Sequence, residues 1–398
     1  MDAAPLCARG ARQLHLAAAR GDLSTGGCDR GFSPPIERKG MRSVRYPLRP
    51  MRFQRVRIAA VAHVLPEERV SSAELEQRLS PVYERLRLRE GRLELMSGIR
   101  ERRFWPRGTR PSAAAALAGE AALARSGLAR ESIGCLIHGA VSRDFLEPAT
   151  ASVVHRRLDL ASDCQVFDLS NACLGVLNGM VVIGGMIERG EIGAGLVVSG
   201  EDGRPLVEET LAHLLASPSD DAGLRLELKQ AFASLTIGSG AVAVVLARAE
   251  DAGGAPHLLG GAALAATEHV ELCQGERAGG AAGPTMATEA EALLAAGTEL
   301  AGRTFARFLA ELAWTRADVE RVVTHQVGSA HRRALFERLE LDPALDFPSV
   351  ETLGNSGSAA LPTSLSLALE AGWIRPGQRV ALLGIGSGLN CLMLGAQW

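Results

Sequence analysis

Residues 173–189 read Cys-Leu-Gly-Val-Leu-Asn-Gly-Met-Val-Val-Ile-Gly-Gly-Met-Ile-Glu-Arg. Wound at 3.6 residues per turn, this stretch is apolar on almost every face, so a helix formed here has to be buried rather than laid on a surface. Gly175, Gly179, Gly184 and Gly185 each cost a helix about 1 kcal/mol, which is tolerable where another backbone packs very close. The run is shorter than the roughly 20 residues that span a bilayer, and Asn178 interrupts it. It follows the apolar, strand-like segment Cys164–Leu169. A strand feeding a wholly buried helix demands apolar partners on all sides, and the rest of the chain has to supply them.

The rest alternates in the same way. Val56–Val64, Cys135–Val141, Leu196–Gly200, Ala241–Leu246, Val319–Thr324 and Val380–Ile385 read as strands. Pro148–Leu158, with proline in its first turn, Cys173–Arg189, Thr304–Leu312, Ala330–Leu339 and Ser358–Ala371 read as helices. Strands alternating with helices give an α/β architecture. The pattern also repeats. Glu131-Ser-Ile-Gly-Cys-Leu-Ile-His138 resembles Asp318-Val-Glu-Arg-Val-Val-Thr-His325, 187 residues on, and Cys173 precedes Asn355 by 182. Both Cys173 and Asn355 open a buried helix in this reading. Offsets this similar imply two copies of one unit: an N-terminal half over 53–250 and a C-terminal half over 251–398.

Residues 1–52 do not share the pattern. They hold ten Arg or Lys against four Asp or Glu, lack a continuous apolar core for a secretory signal, and read as a disordered extension. Met51 stands just before the first clean strand and is an alternative start. The full chain of 398 residues is 47% hydrophobic and 22% charged, enough for a large core. Its net charge of −2 and 4% aromatic content argue against nucleic-acid binding. The seven cysteines are scattered, without a Cys-x-x-Cys pair, which fits a reducing cytoplasm and neither a zinc ribbon nor a disulfide framework.

Cys173 is the candidate nucleophile. At a helix N-terminus, unpaired N–H groups and the positive end of the dipole favour a thiolate. A free cysteine is equally a small core residue, which suits Cys135, Cys164 and Cys391. Its candidate partners are His325, ending the strand in Val322-Val-Thr-His-Gln-Val, and Asn355, in Leu353-Gly-Asn-Ser-Gly-Ser-Ala-Ala-Leu-Pro362. Each has a plainer reading, a structural histidine and a helix cap. Their order within a duplicated fold makes the set more specific than its members.

At these residues the chain resembles the thiolase superfamily, in its ketoacyl-ACP synthase III branch. Asn-Ala-Cys173, His325-Gln and Gly-Asn355-Ser-Gly-Ser-Ala-Ala match that branch's Cys–His–Asn triad, and Gly384-Ile-Gly-Ser-Gly-Leu-Asn390 its glycine-rich oxyanion loop. The likeness runs from about residue 53 to Trp398 and implies a five-layered αβαβα fold and a homodimer. Within the branch, Val141-Ser-Arg-Asp-Phe-Leu-Glu-Pro-Ala-Thr-Ala-Ser152 and Ser-Gly-Ile-Arg-Glu-Arg-Arg103 resemble OleA-type enzymes of long-chain olefin biosynthesis. In that group the glutamate matching Glu147 is a base that reaches the neighbouring subunit's site. The departures are the 1–52 extension and Glu351-Thr-Leu-Gly-Asn-Ser-Gly357, which is nearer ordinary synthase III.

The resemblance implies an acyl-cysteine on Cys173, an oxyanion held by the N–H groups of Cys173 and Ser387, and an enolate stabilised by His325 and Asn355. A plain acyl-CoA donor needs a base for its α-proton, the role implied for Glu147. Its alternative is to complement the dipole of the following helix. Arg100, Arg102 and Arg103 are candidates for coenzyme A phosphates, or else solvated surface arginines. The expected activity is non-decarboxylative condensation of two long-chain acyl-CoA molecules to a 2-alkyl-3-oxo acid. The substrates are coenzyme A thioesters, with no resident cofactor or metal, and later enzymes of the olefin pathway are expected partners. The alternatives are a decarboxylative 3-oxoacyl-ACP synthase III using malonyl-ACP, and a non-catalytic subunit of a heterodimer. A degradative thiolase is disfavoured, because its second basic cysteine is missing from the Gly384–Asn390 loop.

Overall fold

The computed structural model describes residues 51–277 and 284–398. The extension expected over 1–52 lies outside the described residues except for its last two. Met51–Arg52 form β1, which pairs antiparallel with Gly260 and Gly261, so the main sheet includes the last two residues assigned to the extension. The remaining strands are β2 (Val56–Val64), β3 (Glu68–Ser71), β4 (Glu101–Phe104), β5 (Ile133–Gly139), β6 (Gln165–Leu169) and β7 (Ala194–Glu201). They continue with β8 (Gly240–Arg248), β9 (His257–Ala265), β10 (Cys273–Arg277), β11 (Pro284–Thr288), β12 (Arg321–Thr324), β13 (Arg379–Gly386) and β14 (Asn390–Gln397).

The main sheet runs β12-β13-β14-β9-β2-β8-β7-β5-β6, with β1 on β9, while β3–β4 and β10–β11 form two-stranded ribbons. Its central strands read as continuous apolar runs because both faces are covered. In β8, Val242, Val244 and Leu246 face one core while Ala241, Ala243, Val245 and Ala247 face another. In β13, Val380 and Leu382 share the first core, and Ala381 and Leu383 face a third. That strict alternation resolves the layers.

The central core holds the helices Gly175–Glu188 and Ala360–Glu370. They contribute Leu177, Met180 and Ile183, and Leu361, Leu365 and Ala368. It is closed by β5, β7 and β8 on one side and by β13 and β14 on the other. Helices Pro111–Ser126 and Thr150–Arg157 cover the far face of β2, β5, β7 and β8. Helices Ala290–Leu312 and Ser329–Leu339 cover the far face of β13 and β14. The result is the αβαβα thiolase fold. The Cys173 helix is apolar all round because the two halves of the main sheet, joined at Arg57–His257 between β2 and β9, lie on either side of it.

Three of its four glycines are explained by close contacts; Gly185 meets only the Arg189 side chain. A Cβ on Gly175 would stand 2.7 Å from the Gly139 carbonyl carbon, and one on Gly139 would stand 2.6 Å from that of Gly175. Here two backbones do meet, as the sequence suggested. Gly179 and Gly184 instead make room for the side chains of Val197 and Phe53.

The buried helix starts at Gly175, not Cys173. The Pro148 helix starts at Thr150, so its proline precedes the first turn. The Thr304–Leu312 helix extends back to Ala290 through Ala, Leu and Glu, all strong helix formers.

The Gly139–Gly175 contact sets the spacing of the middle layer. Gly139→Ala should lower the unfolding free energy by about 1–3 kcal/mol through overpacking, read as a lower urea midpoint. An unchanged midpoint would contradict the contact.

Candidate active site

The carboxyl ends of β6, β7, β12 and β13 bring the site together. After β6 the chain turns sharply. Ala172 adopts φ 44°, a left-handed conformation costly for a residue with a Cβ, and Asn171 pairs with Cys173 in a one-residue bridge. Leu174 N donates to Asn171 O at 2.9 Å. This tight elbow projects Cys173 ahead of the helix. Val176 N, in the first turn of the helix, donates to Ser358 Oγ at 2.9 Å.

The electrostatics reverse the expectation from the helix dipole. Burial pushes the Cys173 thiol up to about 12, and the Glu201 carboxylate and Cys273 act in the same direction. Dipole stabilisation fades beyond the first turn, and Cys173 sits outside the helix it was expected to open. The resting group is a neutral thiol.

The glycine loop closes over it. Gly386 ends β13, and a Cβ there would stand 3.4 Å from Cys173 N. Ser387 follows in the turn, donating its Oγ to Cys273 Sγ at 3.3 Å. Asn390 Nδ2 donates to Ser387 O at 3.4 Å and to Asn171 Oδ1 at 3.3 Å. Asn171 Nδ2 in turn donates to Asn178 Oδ1 at 2.8 Å. The Ser387 turn and the Cys173 elbow are therefore locked to each other.

His325 continues β12 alongside β13, its N–H donating to Leu383 O at 3.0 Å. The ring is 2% exposed, and neither nitrogen has a hydrogen-bond partner among the described residues. Burial, with His331 second, pushes its pKa down to about 3. It is a neutral imidazole with two uncommitted nitrogens. Its neighbour Gln326 fixes the strand end, accepting at Oε1 from Ser349 N (3.0 Å) and Val350 N (3.1 Å) and donating to Phe347 O (2.6 Å).

Asn355 is not a simple helix cap. Its backbone bonds Thr236 O at 3.0 Å and Gly238 N at 2.9 Å. Its Oδ1 accepts from Gly357 N at 3.0 Å, which leaves the Nδ2 group to donate elsewhere. The helix begins only at Ala360, after a short 3₁₀ turn.

Glu147 lies in the loop between β5 and the Thr150 helix. It is exposed, beside Leu146 at 90% and Val141 at 58% exposure. The helix-complementing role belongs to Asp168, which accepts from Thr150 N and Ala151 N, both at 2.8 Å. That removes the plainer explanation of Glu147.

Of the arginines, Arg102 is a correction. It is 1% exposed, donating to Leu235 O at 3.0 Å and Ser72 Oγ at 3.2 Å, and burial lowers its pKa to about 10. In the β3–β4 ribbon its side chain turns inward, under Gly238 and Gly354, so it cannot meet a coenzyme A phosphate. Arg100 is exposed and Arg103 half-buried. Arg103 donates to Pro66 O at 3.0 Å and lines a groove of ≈430 Å³ with Phe347, Ser349, Thr352 and Glu370.

Sequence reasoning missed Glu201, 4% exposed at the end of β7. Its Oε1 accepts from Val141 N (2.9 Å) and Ser358 N (3.1 Å), and its Oε2 from Ser142 N (3.0 Å). The available signal was a carboxylate closing an otherwise apolar strand. It also missed Cys273, on β10 beside Ser387. Among the described residues no cluster of three His, Cys, Asp or Glu forms a metal site.

The family model for the 3-oxoacyl-[acyl-carrier-protein] synthase III C-terminal region matches residues 309–398. The acyl-CoA:acyl-CoA alkyltransferase of Shewanella oneidensis is 40% identical over 358 residues, covering 87% of this chain and all of the relative. The chain belongs to this family. Its counterpart in Xanthomonas campestris is 39% identical over 348 residues, again covering 87% of this chain and the whole relative. The crystal structure of cerulenin-bound X. campestris OleA superposes with a TM-score of 0.83 at 38% identity, covering 89% of this chain and all of that one. A cysteine-to-serine variant of the same OleA has been solved with bound lauric acid and lauroyl-CoA, with a TM-score of 0.82 at 39% identity over 87% of this chain and the whole of that one. The family is thus OleA, within the thiolase-fold acyltransferases.

Arg102→Ala should lower the unfolding free energy by about 2–4 kcal/mol, through stranded carbonyls and lost packing, read by thermal or urea melts. Unchanged stability with weaker coenzyme A thioester binding would restore the phosphate-binding role.

Proposed function

We propose that this enzyme joins two long-chain acyl-CoA molecules in a non-decarboxylative Claisen condensation, giving a 2-alkyl-3-oxo acid. The observation that carries the reading is Glu147: an exposed carboxylate without a partner among the described residues, on a loop with exposed Leu146 and Val141. A decarboxylative synthase needs no such base, because loss of CO₂ generates its carbanion.

In the first step Cys173 Sγ attacks the thioester carbon of one acyl-CoA. Because the thiol is neutral, its proton leaves as the C–S bond forms, and neutral His325 accepts it. The C–S bond to coenzyme A then breaks, and that proton leaves with the coenzyme A thiol. The tetrahedral oxyanion is held by the N–H groups of Cys173 and Ser387, and such donors contribute about 2.7–4 kcal/mol each.

In the second step the thioester oxygen of another acyl-CoA accepts from His325 and from Asn355 Nδ2. Glu147 removes its α-proton, and the enolate carbon attacks acyl-Cys173. A C–C bond forms, the acyl–sulfur bond breaks, and Cys173 takes up a proton. Hydrolysis of the remaining thioester releases the 3-oxo acid, which later enzymes of olefin biosynthesis consume.

The loop at 141–148, with Val141 and Leu146 exposed, is covered in this reading by a second copy of the chain, with Glu147 entering the partner's site. Arg100 and Arg103 meet coenzyme A phosphates. No helix among the described residues is long and apolar enough to cross a membrane, and the scattered cysteines fit work in the cytoplasm.

Incubation with one long-chain acyl-CoA and no malonyl donor should release free coenzyme A and yield a 3-oxo acid or its decarboxylated ketone. Glu147→Ala should acylate Cys173, seen by mass spectrometry, yet lose condensation by about 100-fold or more, as for removal of a general base. Dependence on malonyl-ACP, or loss of acylation together with condensation, would contradict the reading.

A further inference from the structure

We infer that Glu201 is a positioning residue: one buried carboxylate that ties the Glu147 loop and the Asn355 turn to a single point beside the nucleophile.

The inference stands on four bonds. Val141 and Ser142, whose N–H groups donate to Glu201 at 2.9 and 3.0 Å, begin the loop that carries Glu147. Ser358, whose N–H donates at 3.1 Å, lies three residues after Asn355. The Ser358 hydroxyl then accepts from Val176 N at 2.9 Å, three residues after Cys173. One carboxylate and one hydroxyl thus connect the segments holding this chain's nucleophile and amide to the loop whose Glu147 enters the partner's site, and each connection is made to backbone. A main-chain bond fixes where a segment starts, whatever side chains it carries.

The group has to be a carboxylate. All three main-chain contacts bring donors to its oxygens; burial pushes its pKa up, and these donors oppose that by favouring the ionised form, which is an acceptor only. A glutamine of the same shape would set its own NH₂ against a backbone N–H. Asp202 N is held by Ser142 Oγ at 3.0 Å, and Trp105 Nε1 donates to the Glu201 carbonyl at 3.0 Å, so the end of β7 cannot shift to relieve the mismatch. A Cβ at Gly357 would stand 3.1 Å from Glu201 Oε1, which leaves little slack on the Asn355 side.

Glu201 also carries charge to the nucleophile. The ionisable groups acting on Cys173 are Glu201 and Cys273, and both raise the thiol pKa. A group that only filled space would not do this, so thiol reactivity separates positioning from folding. The inference rests on the reading of Glu147 as the base only where α-proton removal is measured.

The test compares wild type, Glu201→Gln, Glu201→Asp and Glu147→Ala as full chains. Three readouts apply: iodoacetamide alkylation of Cys173 at one fixed alkaline pH, acyl-Cys173 by mass spectrometry, and α-deuterium uptake plus product from a long-chain acyl-CoA in D₂O. In Glu201→Gln, alkylation should quicken severalfold and acyl-Cys173 should still form. Deuterium uptake and product should fall about 100-fold, the cost of an ångström-scale misplacement. Glu201→Asp keeps the charge and should return alkylation to the wild-type rate. Wild-type alkylation and condensation in Glu201→Gln would overturn the inference. So would early melting of both Glu201 variants with acylation and condensation lost in parallel. Wild-type exchange in Glu147→Ala would overturn the assignment of the base instead, and the alkylation result would still decide Glu201.

Discussion

Desolvation of one sulfur governs the chemistry. Cys173 is half-buried between the Ala172 elbow and the Gly386–Ser387 turn, and desolvation, with the Glu201 charge second, pushes its thiol up. A neutral thiol with a pKa near 12 is a weak nucleophile until its proton goes elsewhere. The same burial lowers the His325 pKa, and neither ring nitrogen has a hydrogen-bond partner among the described residues. An uncharged thiol and an uncharged imidazole cost little to bury. The pair stores no charge at rest and forms charge only as the thioester reacts. A thioester carbonyl would also supply the hydrogen-bond partner that His325 lacks.

The fold makes this arrangement affordable. The middle layer places the Cys173 helix between the two halves of the main sheet, and the Gly139–Gly175 contact brings its start against the end of β5. The carboxyl ends of several strands then meet at one place. Backbone bonds among Glu201, Ser358 and Val176, and the Asn171–Asn390–Ser387 chain, hold the pieces without relying on exposed side chains. Arg102 does comparable work beneath the Asn355 turn, where it caps carbonyls in the interior.

Much of this was legible in the sequence, for definable reasons. The all-apolar helix could be read because periodicity reports burial on every side, and the strands followed from their alternation. Cys173 and Asn355 could be found by their matched places in the repeat. What could not be read were consequences of tertiary packing. The helix start slipped by two residues because Ala172 takes a left-handed turn that sequence does not announce. The thiol's ionisation was inverted because burial and Glu201 act through space. Arg102 looked like a surface cation, since nothing local says that the β3–β4 ribbon turns it inward. Glu201 went unnoticed because its partners are 60 and 157 residues away.

The most direct test of Cys173 as a neutral, half-buried nucleophile is the single-turnover rate of its acylation by a long-chain acyl-CoA, measured across pH in H₂O and in D₂O. Proton loss coupled to attack predicts a rate that stays level from neutral to mildly alkaline pH, well below the thiol's own ionisation, with a normal solvent isotope effect. A rate that climbs in proportion to hydroxide, with no isotope effect, would mean that only a pre-formed thiolate reacts, and would contradict the account.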